Sequence, residues 1–97
     1  MNTFKFDFTE VTPVEINIGI AKRVRALRKR RKISQAKLSE MSGVSLGSLK
    51  RFESNGEISL LSLTKIAIAL GVEHALKELF SNGPFLNIEE VENARGK

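Results

Sequence analysis

The sequence contains no cysteine, tryptophan or tyrosine, and only one histidine and one aspartate among its 97 residues. Without cysteine, neither a disulfide framework nor a thiolate metal site can form, and a reducing cytoplasm is the expected location. No apolar run is long enough to span a membrane, and the first ten residues lack the basic and then apolar order of a signal peptide.

Catalytic and metal-binding patterns are also missing. A Ser-His-Asp arrangement would need both His74 and Asp7, and no serine has the flanking glycines of a nucleophile elbow. No set of His, Cys and carboxylate residues has metal-ligand spacing. The sequence therefore predicts no enzyme activity, no cofactor and no metal site.

The positive charge is concentrated in one part of the chain. The whole chain carries a net charge of +5, but residues 18–56 alone carry +9, from eleven lysines and arginines against Glu40 and Glu53. Taken by itself, a basic run such as RKRRK is equally well explained as a solvated helix face. Concentration of the whole excess in one segment favours a polyanionic partner, because side chains that neutralise phosphates release bound counterions.

Apolar residues recur at helical spacing along most of the chain. A first helix is predicted over about residues 17–32, after a break at Thr12-Pro13, and a short fifth helix over about residues 73–80. Three serines are the predicted N-caps of the helices between them: Ser34, Ser45 and Ser59. The residues expected to face inward are Ile20, Val24, Leu27, Ala36, Leu38, Met41, Val44, Leu49, Phe52, Leu63, Ile66, Ala67, Leu70, Leu76, Leu79 and Phe80.

Both ends of the chain differ from this helical middle. Phe4, Phe6 and Phe8 alternate with polar residues, which is the pattern of a strand with one apolar face. A single strand is not stable in water, so it must pair with its own copy across a dimer axis or with the C-terminal element. We expect an N-terminal strand or arm (residues 1–13), a helical domain (17–81) and a C-terminal extension (82–97).

The segment from Ile33 to Asn55 predicts two short helices joined by a tight turn, with Gly43 where the chain leaves the first of them. Two helices packed at a steep angle across so short a turn can present a helix to the DNA major groove. The functional candidates are then the polar and basic residues on the outer sides of these helices.

The run SQAKLSEMSGVSLGSLKRFESNG resembles the helix-turn-helix of the Xre/lambda-repressor-like regulators, which include Cro. The matching residues are Ser34, Gln35, Leu38, Gly43, Val44, Ser45, Leu49, Phe52 and Glu53, with Leu27 and Arg28 upstream and Leu63, Ile66, Ala67, Leu70 and Gly71 downstream. The resemblance covers about residues 17–81. It implies an all-α fold, a five-helix lambda-repressor-like DNA-binding domain, and double-stranded DNA as partner.

The resemblance also implies site residues. A glutamine at the position of Gln35 clamps the DNA backbone in this family, and a phosphate there would meet the positive end of the helix dipole. Alternatively Gln35 is only a polar first-turn residue, and Ser45 and Ser48 are only caps and surface hydroxyls. The expected phosphate contacts are Gln35, Lys37, Ser45, Ser48 and Asn55. The family's base-reading positions hold Leu46, Gly47, Lys50 and Arg51.

Some of these positions depart from the family. Leu46 and Gly47 stand where relatives carry amides, so direct readout falls largely on Arg51 and Lys50, or DNA shape carries more of the specificity. Ser39 replaces the usual alanine, and its hydroxyl is expected to bond to a carbonyl one turn earlier.

Arg28 and Glu53 match a pair that links the first and third helices of the family. We assign them a structural salt bridge and no DNA contact, because a bidentate guanidinium–carboxylate bond would hold the recognition helix in register.

Two functions fit the sequence. The first is a transcriptional regulator that binds a palindromic operator as a homodimer and represses a promoter. The alternative is the antitoxin of a toxin–antitoxin pair, which neutralises a toxin protein and represses its own operon. The tail PFLNIEEV resembles the segment that follows the DNA-binding domain in HipB-like antitoxins. A toxin gene next to this one would discriminate between the two functions.

Overall fold

The computed structural model describes residues 11–81, and these form five helices. The helices are α1 (Pro13–Arg30), α2 (Gln35–Ser42), α3 (Leu46–Asn55), α4 (Leu60–Ala69) and α5 (Glu73–Lys77). The predicted all-α arrangement of five helices is confirmed, with no strand between residues 11 and 81. The predicted N-terminal strand and the C-terminal extension lie outside the described residues.

Helix α1 begins earlier than predicted. The Thr12 hydroxyl accepts a hydrogen bond from the Glu15 N–H (3.1 Å), and the Glu15 carboxylate accepts one from the Thr12 N–H (3.5 Å). Pro13 suits the first helical position because its missing N–H would have no partner there. The interpretation of Thr12-Pro13 as a break before a helix at residue 17 is therefore wrong, since the pair starts the helix. At the other end α1 stops at Arg30, and Lys32 has left-handed backbone (φ 59°).

Serines begin the next three helices, as predicted. Ser34, Ser45 and Ser59 each accept a hydrogen bond at 3.0–3.1 Å from the N–H three residues later. Gly43 (φ 79°) directly follows α2 and Gly56 (φ 82°) directly follows α3, both in a backbone region that glycine adopts without steric cost. These local signals fix the short connections on either side of α3.

The core lies among α1, α2, α3 and α4. Helix α3 packs on α1 and α2, and α2 also packs on α4. The buried cluster consists of Ala21, Leu38, Val44, Leu49, Phe52, Ile66 and Leu70. The sequence predicted all of these except Ala21. Because Leu49 and Phe52 are fully buried, the opposite side of α3 faces away from the core.

Ala36 and Met41 were predicted to face inward, and this prediction is wrong because both are exposed. The two-turn helix α2 buries a single side chain, Leu38. Ala36 is two positions from Leu38, and residues at that spacing point to different sides of a helix.

Helix α5 is shorter than predicted. It ends at Lys77, and the chain then turns through bonds from the Leu79 N–H to the Leu76 carbonyl (3.1 Å) and from Ser81 to Glu78 (3.0 Å). Leu79 and Phe80 are not core residues, since they are 52% and 88% exposed. The side chains of α5 instead help to form an apolar groove of about 320 Å³ between α1, α4 and α5, lined by Ile20, Arg23, Val24, Leu27, Leu63, Ala67, Val72, Ala75 and Leu76.

Candidate nucleic-acid interface

The turn between α2 and α3 is held by a side-chain bond as well as by Gly43. The Ser39 hydroxyl donates to the Val44 carbonyl at 2.6 Å. The prediction that this hydroxyl bonds one turn back is wrong, because the chain turns over the end of α2 and its acceptor is the Val44 carbonyl, five residues later. Val44 is buried at the same point, so the turn is anchored on both sides.

The structure brings Arg28 of α1 and Glu53 of α3 together in a two-bond pair. Arg28 donates from Nε to Glu53 Oε2 (2.8 Å) and from Nη2 to Oε1 (2.9 Å). The third nitrogen of the guanidinium, Nη1, donates to the Ile33 carbonyl (2.8 Å) in the loop before α2. The side chains of Arg28 and Glu53 are only 8% and 4% exposed. A single guanidinium therefore ties α1 to α3 and to the start of the helix-turn-helix.

Gln35 joins this network. Its Nε2 donates to Glu53 Oε1 at 2.9 Å, so the first residue of α2 is fixed against α3. Burial by itself would raise the pKa of Glu53, but hydrogen bonds from Arg28 and Gln35 and the charges of Arg28 and Arg25 outweigh it and hold the pKa below its usual value. Glu53 is therefore ionised at neutral pH, and its two carboxylate oxygens can accept the two hydrogen bonds from Arg28 and the one from Gln35.

The base-reading candidates lie on the side of α3 that faces away from the core. Gly47, Lys50 and Arg51 are exposed and Leu46 is half-buried. Residues 46 and 50, and residues 47 and 51, are one turn apart and therefore adjacent on the helix surface. Arg51 is thus not buried by any part of the domain between residues 11 and 81.

The phosphate candidates are placed differently from one another. Lys37 is exposed and lies 3.6 Å from Glu40 on the same helix. The Ser45 hydroxyl caps α3 and donates to the Ser48 hydroxyl at 2.9 Å. The Asn55 amide oxygen accepts from the Glu57 N–H at 3.0 Å in the turn after α3. Ser45 thus has the capping role that the sequence allowed, and its hydroxyl remains at the surface.

Two arginines have roles that the sequence analysis missed. Arg31 donates to the Leu70 carbonyl at the end of α4, which ties the basic run to the far side of the core. Arg25 places its Nε 3.9 Å from Glu53 Oε1. The spacing of Arg25 and Arg28 on one helix was a usable signal for the second role. No spacing pattern points to the first.

Arg25 also borders a shallow depression of about 290 Å³ where α1, α2 and α3 meet. Its lining is polar or charged: Arg25, Gln35, Lys50, Glu53 and Ser54. Since Arg28 and Gln35 already satisfy Glu53, the charges of Arg25 and Lys50 leave this depression net positive. It suits an anionic group lying across the junction of the three helices.

The described residues contain neither a metal-ligand cluster nor a membrane-spanning helix. Between residues 11 and 81, no three His, Cys, Asp or Glu side chains cluster as metal ligands would. None of the five helices is long and apolar enough to cross a membrane. His74 is exposed and lies 3.9 Å from Glu78, one turn away.

A family model described as Helix-turn-helix matches residues 24–77, which is more than half of the chain. The matched region begins within α1 and ends with α5, so it contains the Arg28–Glu53 pair and the whole exposed side of α3. No curated protein and no solved structure matches the chain significantly.

Proposed function

Because the chain belongs to the Xre/lambda-repressor-like helix-turn-helix family and is a DNA-binding regulator, we propose that it acts in the cytoplasm as a homodimeric repressor on a palindromic operator. The proposal rests on the way α3 is held against the rest of the domain. Its inner residues are in the core, Glu53 fixes it to α1 and α2, and Lys50 and Arg51 are left exposed. The protein acts by binding and carries no enzyme activity.

In the proposed complex α3 enters the major groove. Arg51 donates to guanine O6 and N7, and Lys50 supplies a second donor. Leu46 contacts a thymine methyl, and Gly47 allows the helix backbone to approach the groove floor. The contacts to the DNA backbone come from residues at the starts of α2 and α3 and at the end of α3: Gln35, Lys37, Ser45, Ser48 and Asn55.

Gln35 can serve both the fold and the DNA in this arrangement. One of its two amide hydrogens is committed to Glu53, while the other remains for a phosphate oxygen. Glu53 would then aim the amide at the backbone before DNA arrives. The structural role and the phosphate-binding role of Gln35 are therefore compatible.

Dimerisation follows from the geometry of the target. One helix-turn-helix reads one half-site, and a second copy is needed to reach the next major groove, about 34 Å away. The apolar groove between α1, α4 and α5 and the exposed Leu79 and Phe80 offer surface for such contacts. We propose that residues 1–10, with their alternating phenylalanines, also pair across the dimer or with the C-terminal segment.

Arg51→Ala and Lys37→Ala should weaken DNA binding in different ways. Loss of Arg51 removes a base contact, so it should reduce the preference for the operator over a scrambled duplex by about 1–3 kcal/mol. Loss of Lys37 removes a phosphate contact and should weaken both duplexes about equally. The operator is first selected from a random-sequence duplex pool, and both variants are then titrated against operator and scrambled DNA.

The selection itself tests the proposed function. We expect a palindrome whose half-sites are centred about 10 base pairs apart. A pool that shows no enrichment would overturn the proposed repressor. If Arg51→Ala leaves the ratio of operator to scrambled affinity unchanged, the assignment of α3 as the recognition helix is wrong.

Deletion of residues 1–10 should weaken dimerisation without unfolding the helices, because the five helices and the buried cluster are built from residues between 13 and 77. Sedimentation gives the mass of the full-length and shortened proteins, and circular dichroism reports their helix content. The matched controls replace Phe4, Phe6 and Phe8 by serine in one variant, and Lys5 and Asp7 by serine in another. Only the first should behave like the deletion. Unchanged mass and operator affinity after deletion would refute a role for this segment.

The second candidate function is a HipB-like antitoxin. The favouring observation is that α1, α4 and α5 form an apolar groove away from the DNA-reading side of α3, so one domain could hold a toxin and an operator together. Co-expression with the product of the neighbouring gene, followed by sedimentation with operator DNA, distinguishes the two functions. A ternary complex supports the antitoxin, whereas DNA bound only by homodimers supports the autonomous repressor.

A further inference from the structure

The exposed side of α1 carries three cations in a row: Lys22, Arg25 and Lys29. They are three and four positions apart, so they lie one above another on the same side of the helix. With Ala26 they line a shallow depression of about 270 Å³. We call these three residues the α1 basic row.

The described part of the chain does not neutralise this row. Among residues 11–81, no carboxylate lies within salt-bridge distance of Lys22 or Lys29. Arg25 approaches Glu53, but the oxygens of that carboxylate already accept three closer hydrogen bonds. Arg25 and Lys29 are also like charges one turn apart, which destabilises a helix. A row that costs helix stability and lacks an acidic partner within the domain favours an anion outside it.

The row is continuous with the candidate nucleic-acid interface. Arg25 belongs to the row and also borders the depression that contains Lys50 and Ser54 of α3. A DNA strand that passes the exposed end of α3 would therefore meet Arg25 next, and then the rest of the row.

We propose that the α1 basic row binds DNA phosphates beyond those reached from α2 and α3. From Lys22 to Lys29 the row extends about 10 Å along the helix axis, while the phosphates of one strand follow each other about every 3.4 Å along the DNA axis. Such contacts raise the affinity for every sequence and carry no base information. The inference rests on the proposed DNA-binding function and adds a second surface to it.

The test is the salt dependence of binding to a random-sequence duplex of about three helical turns. Lys22→Gln with Lys29→Gln removes two charges from the row and leaves the Glu53 network intact. Each phosphate contact contributes about 0.9 to the slope of log affinity against log salt, and the proposed homodimer loses two such contacts in each protomer, so this slope should fall in magnitude by about 3.6. Between about 50 and 200 mM salt, the double variant should then lose about 150-fold less affinity than the wild type does.

The matched control is Lys65→Gln with Lys77→Gln, which makes the same charge change at exposed positions of α4 and α5. We expect it to keep the wild-type slope. Equal reductions in both double variants would show a general charge effect and overturn the proposal, as would an unchanged slope in the α1 variant. Neither result bears on whether the wild type selects an operator, so the proposed function would stand. A wild type that does not bind DNA would overturn both.

Discussion

Glu53→Ala should lower the free energy of unfolding by about 3–5 kcal/mol, because it leaves a buried charge without its partner. The side chain of Arg28 is 8% exposed, and after the substitution the Ile33 carbonyl would be the one acceptor left to its guanidinium within residues 11–81. Gln35 would lose its bond to α3 as well. In a domain of this size each kcal/mol corresponds to about 4–8 °C in melting temperature, so a thermal melt resolves the effect easily.

Glu57→Ala is the matched control, since Glu57 is exposed and, within residues 11–81, only its backbone N–H is hydrogen-bonded, to the Asn55 side chain. It should change the melting temperature little. Equal and small losses for the two variants would mean that the Arg28–Glu53 pair does not stabilise the fold, despite its geometry.

The pH dependence of stability gives a second measurement of the same network. The pKa of Glu53 is lower in the folded protein than in the unfolded chain, so the unfolded chain takes up the proton first as pH falls. The stabilisation is complete well above about pH 4.3, the usual glutamate pKa, and is lost as pH drops from there through the folded-state value. Glu53→Gln should therefore show a shallower decline in unfolding free energy over this range than the wild type.

The ends of the helices were the easiest features to predict from the sequence, because each is set by residues within one turn. The serine caps and Gly43 act on residues within one turn, and the structure has them where spacing placed them. The start of α1 was missed although its signal is equally local. Thr12, Pro13 and Glu15 together form a helix start, but a proline seen alone was interpreted as a break.

Contacts between distant residues were predictable only through the family resemblance. Arg28 and Glu53 are 25 residues apart, so periodicity alone cannot pair them. Neither periodicity nor the family resemblance predicts the bond from Arg31 to the Leu70 carbonyl, 39 residues away. The predicted burial of Leu79 and Phe80 after α5 was wrong for a related reason. Apolar spacing shows which side of a helix is apolar, but not whether a neighbouring element covers that side. The exposed side of α3 was easier to predict, since burying Leu49 and Phe52 leaves Lys50 and Arg51 outside.

The junction between α1 and α3 depends on a glycine as much as on the salt bridge. Gly56 ends α3 with φ 82°, and a Cβ at this position would lie 2.8 Å from the Asn17 carbonyl carbon and 2.9 Å from the Ile18 nitrogen. These are backbone atoms of α1, which cannot move aside as the end of a flexible side chain could. Gly43 has a similar φ of 79°, but beyond its own chain neighbours no atom of the described residues lies within 4 Å of the corresponding Cβ. The two glycines therefore separate the conformational cost of an alanine from its steric cost.

Gly43→Ala should cost only the left-handed backbone, roughly 1–2 kcal/mol. Gly56→Ala should cost that amount plus about 1–3 kcal/mol for forcing α1 away from the end of α3. Because α1 carries Arg28, the displacement should also strain the bonds to Glu53 and lower operator affinity, which Gly43→Ala should not do through this route. Urea unfolding midpoints and operator titrations measure both effects. If the two variants have equal midpoints, the close approach of α1 to Gly56 does not help to hold α3 in place.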